Sequence, residues 1–169
     1  MTDFYERAKF SFSRYDGYYG NINSKGAFYL TVNTFFIGFF LSGINWVKDN
    51  FDITELTGFF ICLFLLSCFV AIIVTLLAIN PFLKSGETYG KNKSLFFYGS
   101  VAEYSCSDFK KHFEQMKEED LKEDLCTQLH ILAVGLKRKF KLLAISGILI
   151  LAEFVLLIPI IIMLTIHHK

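Results

Sequence analysis

Basic residues gather where the chain enters its long apolar segments, and cations held close together can bind an anion such as phosphate. Lys25 precedes the first apolar segment, Lys93 precedes an aromatic run, and Lys139 lies in a cluster of four cations before the third segment. If these positions lie near one membrane plane, their side chains can converge on one anion. The alternative is that they anchor the chain to anionic lipid, an attraction of about 1 kcal/mol for each basic residue near the surface.

The aromatic run Phe96, Phe97 and Tyr98 also allows two interpretations. Aromatic residues at a membrane boundary commonly form an interfacial belt, or they fill the floor of a small helical module. A flat ring beside lysines and an accessible Gly99-Ser100 step can instead stack a nucleobase, worth about 1 to 3 kcal/mol, while the cations hold a phosphate. Residue chemistry alone leaves both interpretations open and favours the belt.

Signatures of catalysis and metal binding are missing from the sequence. It contains no HExxH, GxSxG, GxGxxG or GxxxxGK motif and no pair of carboxylates in a recognisable catalytic setting. His112 and His130 have no cysteine or acid at metal-ligand spacing, which favours surface or packing roles. The cysteines form no CxxC pair and are expected to be small buried hydrophobes: Cys62, Cys68, Cys106 and Cys126. We therefore predict that the protein is not an enzyme and has no metal site and no cofactor.

One carboxylate interrupts the third apolar segment. Glu153 would cost several kcal/mol if it faced lipid, so we expect it to face other helices or a water-filled space. The second segment carries small residues every four positions, Ser67, Ala71 and Thr75, which suit close helix contact. Because three spans are few for a self-contained transport path, we hypothesise a homo-oligomer in which Glu153, Ser67 and Ala71 have pore or assembly roles.

Three apolar blocks supply the elements that must position these residues. The chain is 53% hydrophobic with twenty Phe, and its apolar residues concentrate at 27–44, 56–79 and 142–166. A bilayer core of about 30 Å needs roughly 20 apolar residues in a helix. We therefore predict transmembrane helices at 27–45, 56–81 and 141–166, with a short external loop at 46–55. The first block is marginal in length and also suits a buried core helix, and residues 1–26 do not resemble a signal peptide.

The distribution of charge predicts the orientation in the membrane. Of seventeen Lys and Arg residues, four precede residue 27 and eleven lie between Lys84 and Lys141, against one in the first loop and one at the end. By the positive-inside rule, the N-terminus and residues 82–140 are cytoplasmic, while the short loop and the C-terminus are outside.

The predicted cytoplasmic segments are helical. Residues 1–26 should form an amphipathic helix that lies on the membrane surface or packs on the cytoplasmic module, followed by a turn at "DGYYGN". Asn80-Pro81 should end the second span, and Ser105 with Asp108 resembles a capping box that opens a helix. From Glu118 a leucine stripe continues without a breaker into the third span, which predicts one long helix, or two with a bend near Gly135.

The order of these motifs resembles the transmembrane effector family of bacterial Pycsar antiphage defence. The similar segments are "INSKGAFYLTV", "LLAINP", "SLFFYGSVAEYSCSDF" and "DLCTQLHILAVGLKRKFKLL", and together they cover about residues 15 to 165. The family pattern maps onto Asn23-Ser24-Lys25, Pro81, the segment 96–102, Gln128 and Lys139-Phe140. Asn23 stands where the family usually has an acid, so a carboxylate role there has no counterpart in this chain.

The resemblance implies a receptor that acts on the inner membrane. A partner cyclase makes a cyclic nucleotide, with a mononucleotide such as cUMP or cCMP favoured, and the cytoplasmic region binds it; nucleic acid is not an expected partner. The membrane part then disrupts the bilayer and stops growth, which is abortive infection. The implied roles are phosphate contact by Lys25 and Lys139, and base or ribose contact by Phe97, Tyr98, Ser100 and Gln128, with Asn23 beside them.

The sequence thus predicts an all-α membrane protein with three transmembrane helices and a small helical cytoplasmic module, whose last helix runs into the third span. The expected function is a multi-pass effector of the bacterial inner membrane, gated by a cyclic nucleotide. Two alternatives stay open. A ligand-independent pore or toxin would arrest growth on expression alone, and a membrane scaffold would recruit a cytosolic partner through the helices at 105–140.

Overall fold

The structure is a computed structural model, and it describes residues 2–81 and 94–167. It contains five helices in these ranges: α1 Thr2–Asn50, α2 Glu55–Ile79, α3 Tyr98–Val101, α4 Cys106–Gln115 and α5 Glu118–Ile166. No β-strand occurs among these residues, and α1, α2 and α5 are long and apolar enough to cross a membrane. The predicted all-α membrane fold is therefore confirmed. Lys93 and the polar segment before it lie outside the described residues.

The chain divides into two compact units. We call Met1–Gly20 with Pro81–Lys137 the helical module, and Asn21–Asn80 with Arg138–Lys169 the membrane bundle. The first half of α1 and of α5 belongs to the module, and the second half of each belongs to the bundle. Both long helices therefore pass from one unit into the other without a break.

The membrane bundle contains one helix that runs against the other two. Gly26 of α1 lies against the end of α2 at Ile79, and Phe40 contacts Phe64 near its beginning, so α1 and α2 are antiparallel. Tyr29 lies beside Gly147, and Phe36 lies 5.4 Å from the ring of Phe154, so α1 and α5 are parallel.

The bundle core is apolar and tightly packed. Phe64, Cys68 and Ile160 are buried at its centre, and partly buried aromatic and aliphatic side chains surround them. Large apolar side chains also cover the outside of the bundle, for example Phe35, Phe69 and Leu151. Since lipid tails are as apolar as these side chains, close packing and internal hydrogen bonds hold such helices together more than the hydrophobic effect does.

Local signals for helix ends are confirmed at two sites. The Ser105 side chain accepts a hydrogen bond of 3.1 Å from the Asp108 amide and caps α4, as predicted. The helix α2 ends at Ile79 with Asn80 as its C-cap, directly before Pro81. The long helix predicted from Glu118 is also confirmed, because α5 continues through Gly135 and Pro159.

The predicted turn at "DGYYGN" is wrong, since α1 is unbroken across residues 16–21. Each glycine costs a helix only about 1 kcal/mol relative to alanine, and tertiary contacts can exceed that cost. One such contact lies next to the second glycine: the Tyr19 hydroxyl donates a hydrogen bond of 3.0 Å to the Leu132 carbonyl.

The four cysteines, all within the described residues, were expected to be buried, and this expectation is confirmed only for Cys68. The other three thiols are exposed, because the helix faces that carry them are not packed against another helix.

Candidate functional site

The helical module places α1 and α5 side by side and fixes the aromatic run to α5. The Asp124 carboxylate accepts a hydrogen bond of 2.9 Å from the Leu95 amide. Directly before Leu95, the Ser94 hydroxyl accepts hydrogen bonds from the amides of Phe96 and Phe97, at 3.2 and 3.1 Å. The Ser94 bonds order the backbone of 94–97, and the bond to Asp124, a residue that sequence reasoning missed, attaches this segment to α5.

The predicted ligand residues of the module differ in accessibility. The Phe97 ring folds over Gly99, where an added Cβ would lie 3.1 Å from Cζ of that ring. Tyr98 is 66% exposed, and its ring centre lies 4.9 Å from that of Phe97. Ser100 and Gln128 are only 9% and 8% exposed. Tyr98 therefore offers the most accessible ring of this set.

The remaining predicted ligand residues belong to the membrane bundle. Asn23 and Lys25 are exposed on α1. Lys139 is only 5% exposed, and its ammonium donates to the carbonyls of Ala78 and Asn80 over 2.7 and 2.6 Å. A cation at that place satisfies the carbonyls that every helix C-terminus leaves open, so Lys139 stabilises the end of α2.

The module also contains an open groove of about 460 Å³ between α1 and α5. The α1–α5 groove is lined by Tyr5, Ala8, Lys9, Phe12, Ser13, Asp16 and Leu125. Its α1 residues are spaced three and four apart, which places them on one face of the helix. The amphipathic pattern of residues 1–26 predicts one face with Tyr5, Ala8 and Phe12 and places Lys9 elsewhere around the helix. The structure instead brings Lys9 into the same groove, together with Ser13 and Asp16, which sequence reasoning missed.

The N-terminal helix was expected to lie on the membrane surface or to pack on the module, and in the structure it packs on the module. The groove is formed by the face that carries Tyr5 and Phe12, and Lys122 of α5 lies 6.0 Å from the ring centre of Phe4. The Lys122 ammonium donates a hydrogen bond to the Glu118 carboxylate, which raises the pKa of Lys122. Burial raises the pKa of Tyr19 above its usual 10.0, since its hydroxyl is partly desolvated between the helices.

The bundle interior holds a column of polar groups. Glu153 is 0% exposed, and the Ser67 hydroxyl donates to its Oε1 over 3.4 Å. Within the described residues, Glu153 Oε2 and Asn33 Oδ1 are buried without a hydrogen-bond partner. The expectation that Glu153 faces other helices is confirmed, and in this conformation the helices belong to its own chain.

The small-residue stripe of α2 also faces α5. The hydroxyls of Thr75 and Ser146 lie 2.5 Å apart, and both hydroxyls point to the Ala71 carbonyl. Close helix contact along this stripe is therefore confirmed, and it occurs within the chain. A pore or assembly role for Glu153, Ser67 and Ala71 stays a prediction, and it requires these helices to separate.

Within residues 2–81 and 94–167, no three His, Cys, Asp or Glu side chains lie close enough together to hold a metal ion. His112 Nδ1 lies 2.7 Å from the Asp108 carbonyl on its own helix. The two long helices and the polar interior of the bundle define the class: an all-α membrane protein that joins a helical module to three membrane-spanning helices.

The comparison with protein families gives the particular assignment. A family model described as "Pycsar effector protein domain" matches residues 7–166, and the chain belongs to this family. Comparisons with curated proteins and with solved structures gave no match. The family membership makes this chain a membrane effector of Pycsar antiphage defence, and it implies a cyclic nucleotide signal from a partner cyclase.

Proposed function

We propose that the protein binds a cyclic nucleotide on its cytoplasmic side and responds by disrupting the bacterial inner membrane. Family membership supports the signal, and one structural observation supports the coupling: α1 and α5 each run unbroken from the helical module into the membrane bundle. A helix that continues through both units can carry a displacement from one to the other as a rigid element.

The polar column supplies the membrane response. Glu153 and Asn33 are fully buried between the helices of the bundle, and the half-buried Ser67 donates a hydrogen bond to Glu153. When the helices separate, water and neighbouring copies of the chain reach these groups, and an oligomer with a hydrophilic interior can form. Ligand must bind the open state more tightly than the closed one, by about 5.5 kcal/mol to move the ratio from 1:99 to 99:1.

The nucleotide contacts that the sequence predicts stay a prediction: Asn23, Lys25, Phe97, Tyr98, Ser100, Gln128 and Lys139. The favoured ligand is a cyclic mononucleotide such as cUMP or cCMP, supplied by a partner cyclase. The N-terminus is proposed to be cytoplasmic, because fifteen basic residues lie before residue 27 or between Lys84 and Lys141.

A thermal-shift screen of the purified full-length protein tests the receptor function. Cyclic mononucleotides and dinucleotides are compared with the linear monophosphates, because a ligand of the folded state raises Tm. We expect a concentration-dependent rise with one class of cyclic nucleotide. A folded protein that responds to none of them would contradict the receptor function.

The scaffold alternative has one observation in its favour. The helix α4 has no buried residue, and its Phe113 is exposed and lies 5.6 Å from the ring centre of Phe109. An exposed aromatic face of this kind suits a protein partner. A scaffold predicts no small-molecule response in the same screen, so one experiment separates the two functions.

A further inference from the structure

We propose that the α1–α5 groove is the nucleotide-binding site, with a base stacked on its rings and a phosphate held by Lys9. The proposal rests on the proposed receptor function and goes beyond it by locating the ligand in the helical module. The groove is open to solvent and has a volume of about 460 Å³. By contrast, Ser100, Gln128 and Lys139 of the predicted site are buried.

The side chains of the groove match the three parts of a nucleotide. Tyr5 and Phe12 are half-buried and line the groove, so each ring is partly held by its neighbours and partly accessible to a stacking base. Lys9 lies between them along the helix and is exposed, which suits an anionic phosphate. Ser13 follows Lys9 by one turn and has a hydroxyl that both donates and accepts hydrogen bonds.

Asp16 places a negative charge in the groove at a distance from Lys9. It lies seven residues from Lys9, about 10.5 Å along the helix axis, so a phosphate at Lys9 avoids its charge. A carboxylate only accepts hydrogen bonds, and a ribose hydroxyl or a base N–H supplies the donor. The groove therefore suits a ligand that carries an anion near Lys9 and hydrogen-bond donors about 10.5 Å away near Asp16, and a nucleoside phosphate has both groups.

The test measures the affinity of cUMP and cCMP for the full-length protein in detergent. Lys9→Ala and Phe12→Ala are compared with Arg7→Ala and Phe10→Ala, which alter the same helix outside the groove lining. Each groove substitution should weaken binding about tenfold or more, since a stacked ring or a charged phosphate contact is lost. Phe12→Tyr should restore affinity, and the control variants should bind like the natural protein.

Ligand fragments separate the two ends of the groove. Uridine lacks the phosphate, so its affinity should not change in Lys9→Ala, while it should fall in Phe12→Ala. Inorganic phosphate should show the reverse. Lys9 and Asp16 are exposed, so Lys9→Ala and Asp16→Asn should keep the fold even if Phe12→Ala does not.

The outcomes are distinguishable. If the natural protein binds a cyclic nucleotide and the groove variants bind it equally well, the groove proposal is overturned and the receptor function stands; loss of binding in Tyr98→Ala or Lys25→Ala would then locate the ligand at the other predicted residues. Groove variants that change only the oligomeric state would show a contact between copies and also overturn it. No binding by the natural protein overturns both.

Discussion

The membrane bundle and the helical module distribute their polar and apolar groups in opposite ways. The bundle seals Glu153, Thr75 and Ser146 inside and presents apolar side chains outside. The module leaves much of its aromatic and charged surface accessible, including Tyr98 and Phe113. The module therefore leaves aromatic rings and charges within reach of a dissolved ligand, whereas Glu153, Thr75 and Ser146 of the bundle would become accessible only if its helices moved.

The largest expected effect on activity comes from removing the carboxylate of the bundle. One carboxylate oxygen of Glu153 is buried without a hydrogen-bond partner. Glu153→Leu replaces this group by an apolar side chain and should stabilise the closed bundle by about 1 to 3 kcal/mol. At constant ligand, such a shift should lower nucleotide-triggered dye release from proteoliposomes about fivefold or more. The lipid-facing control Leu151→Met should release dye normally. Unchanged dye release in Glu153→Leu would show that the buried carboxylate is not needed for the membrane response.

The second effect concerns the Lys139 cap at the end of α2. Lys139→Met removes two charge-assisted hydrogen bonds to carbonyls, each worth about 1.5 to 3 kcal/mol, and should lower Tm clearly. Lys137→Met, two residues before it and exposed, should have little effect. If both variants melt like the natural protein, the cap is not a stabilising contact.

A glycine pair compares packed and open positions on the same helix. A Cβ at Gly26 would meet the γ2 methyl group of Ile79, whereas nothing lies within 4 Å of one at Gly38. Gly26→Ala should destabilise the bundle by about 1 to 3 kcal/mol through overpacking, and Gly38→Ala should be neutral or stabilising. Chemical denaturation in detergent measures both. Equal effects would mean that α1 and α2 do not approach closely at Gly26.

The smallest effect belongs to the module. Tyr19→Phe removes one hydrogen bond to Leu132 and should cost about 0.5 to 1.5 kcal/mol. Because burial raises the pKa of Tyr19 above 10.0, the folded chain keeps a proton that the unfolded chain loses above that pH. This contribution is complete below pH 10 and is lost as the pH rises through the folded pKa. The stability of Tyr19→Phe, measured by denaturation between about pH 8 and about pH 12, should lack this alkaline decrease. The same dependence of stability on pH in both proteins would contradict the role of Tyr19.

Features that depend on neighbouring residues could be predicted from the sequence. The Ser105 cap, the end of α2 at Asn80-Pro81 and the long α5 all follow from local patterns, and the structure has them. The continuity of α1 could not be predicted, because local propensity favours a turn at two close glycines, while the packing of α1 on α5 depends on residues more than a hundred positions away.

The candidate site shows the same limit. Lys139 looks like an anion ligand by its position beside other cations, and only the fold shows that the carbonyls of α2 engage it. In the sequence, Lys9, Ser13 and Asp16 look like a solvated helix face, and only the fold shows that they line a groove with Leu125 of α5. Polar residues acquire roles through partners far along the chain, which spacing alone does not identify.

The central claim is that nucleotide binding opens the membrane bundle, and Cys68 reports on it directly. This thiol is buried in the bundle core beside Glu153, while the other three cysteines are exposed. In proteoliposomes, a variant that keeps Cys68 alone should react with a charged, membrane-impermeant thiol reagent only when a bound cyclic nucleotide is present. A reaction rate at Cys68 that a saturating, bound nucleotide leaves unchanged would contradict the account.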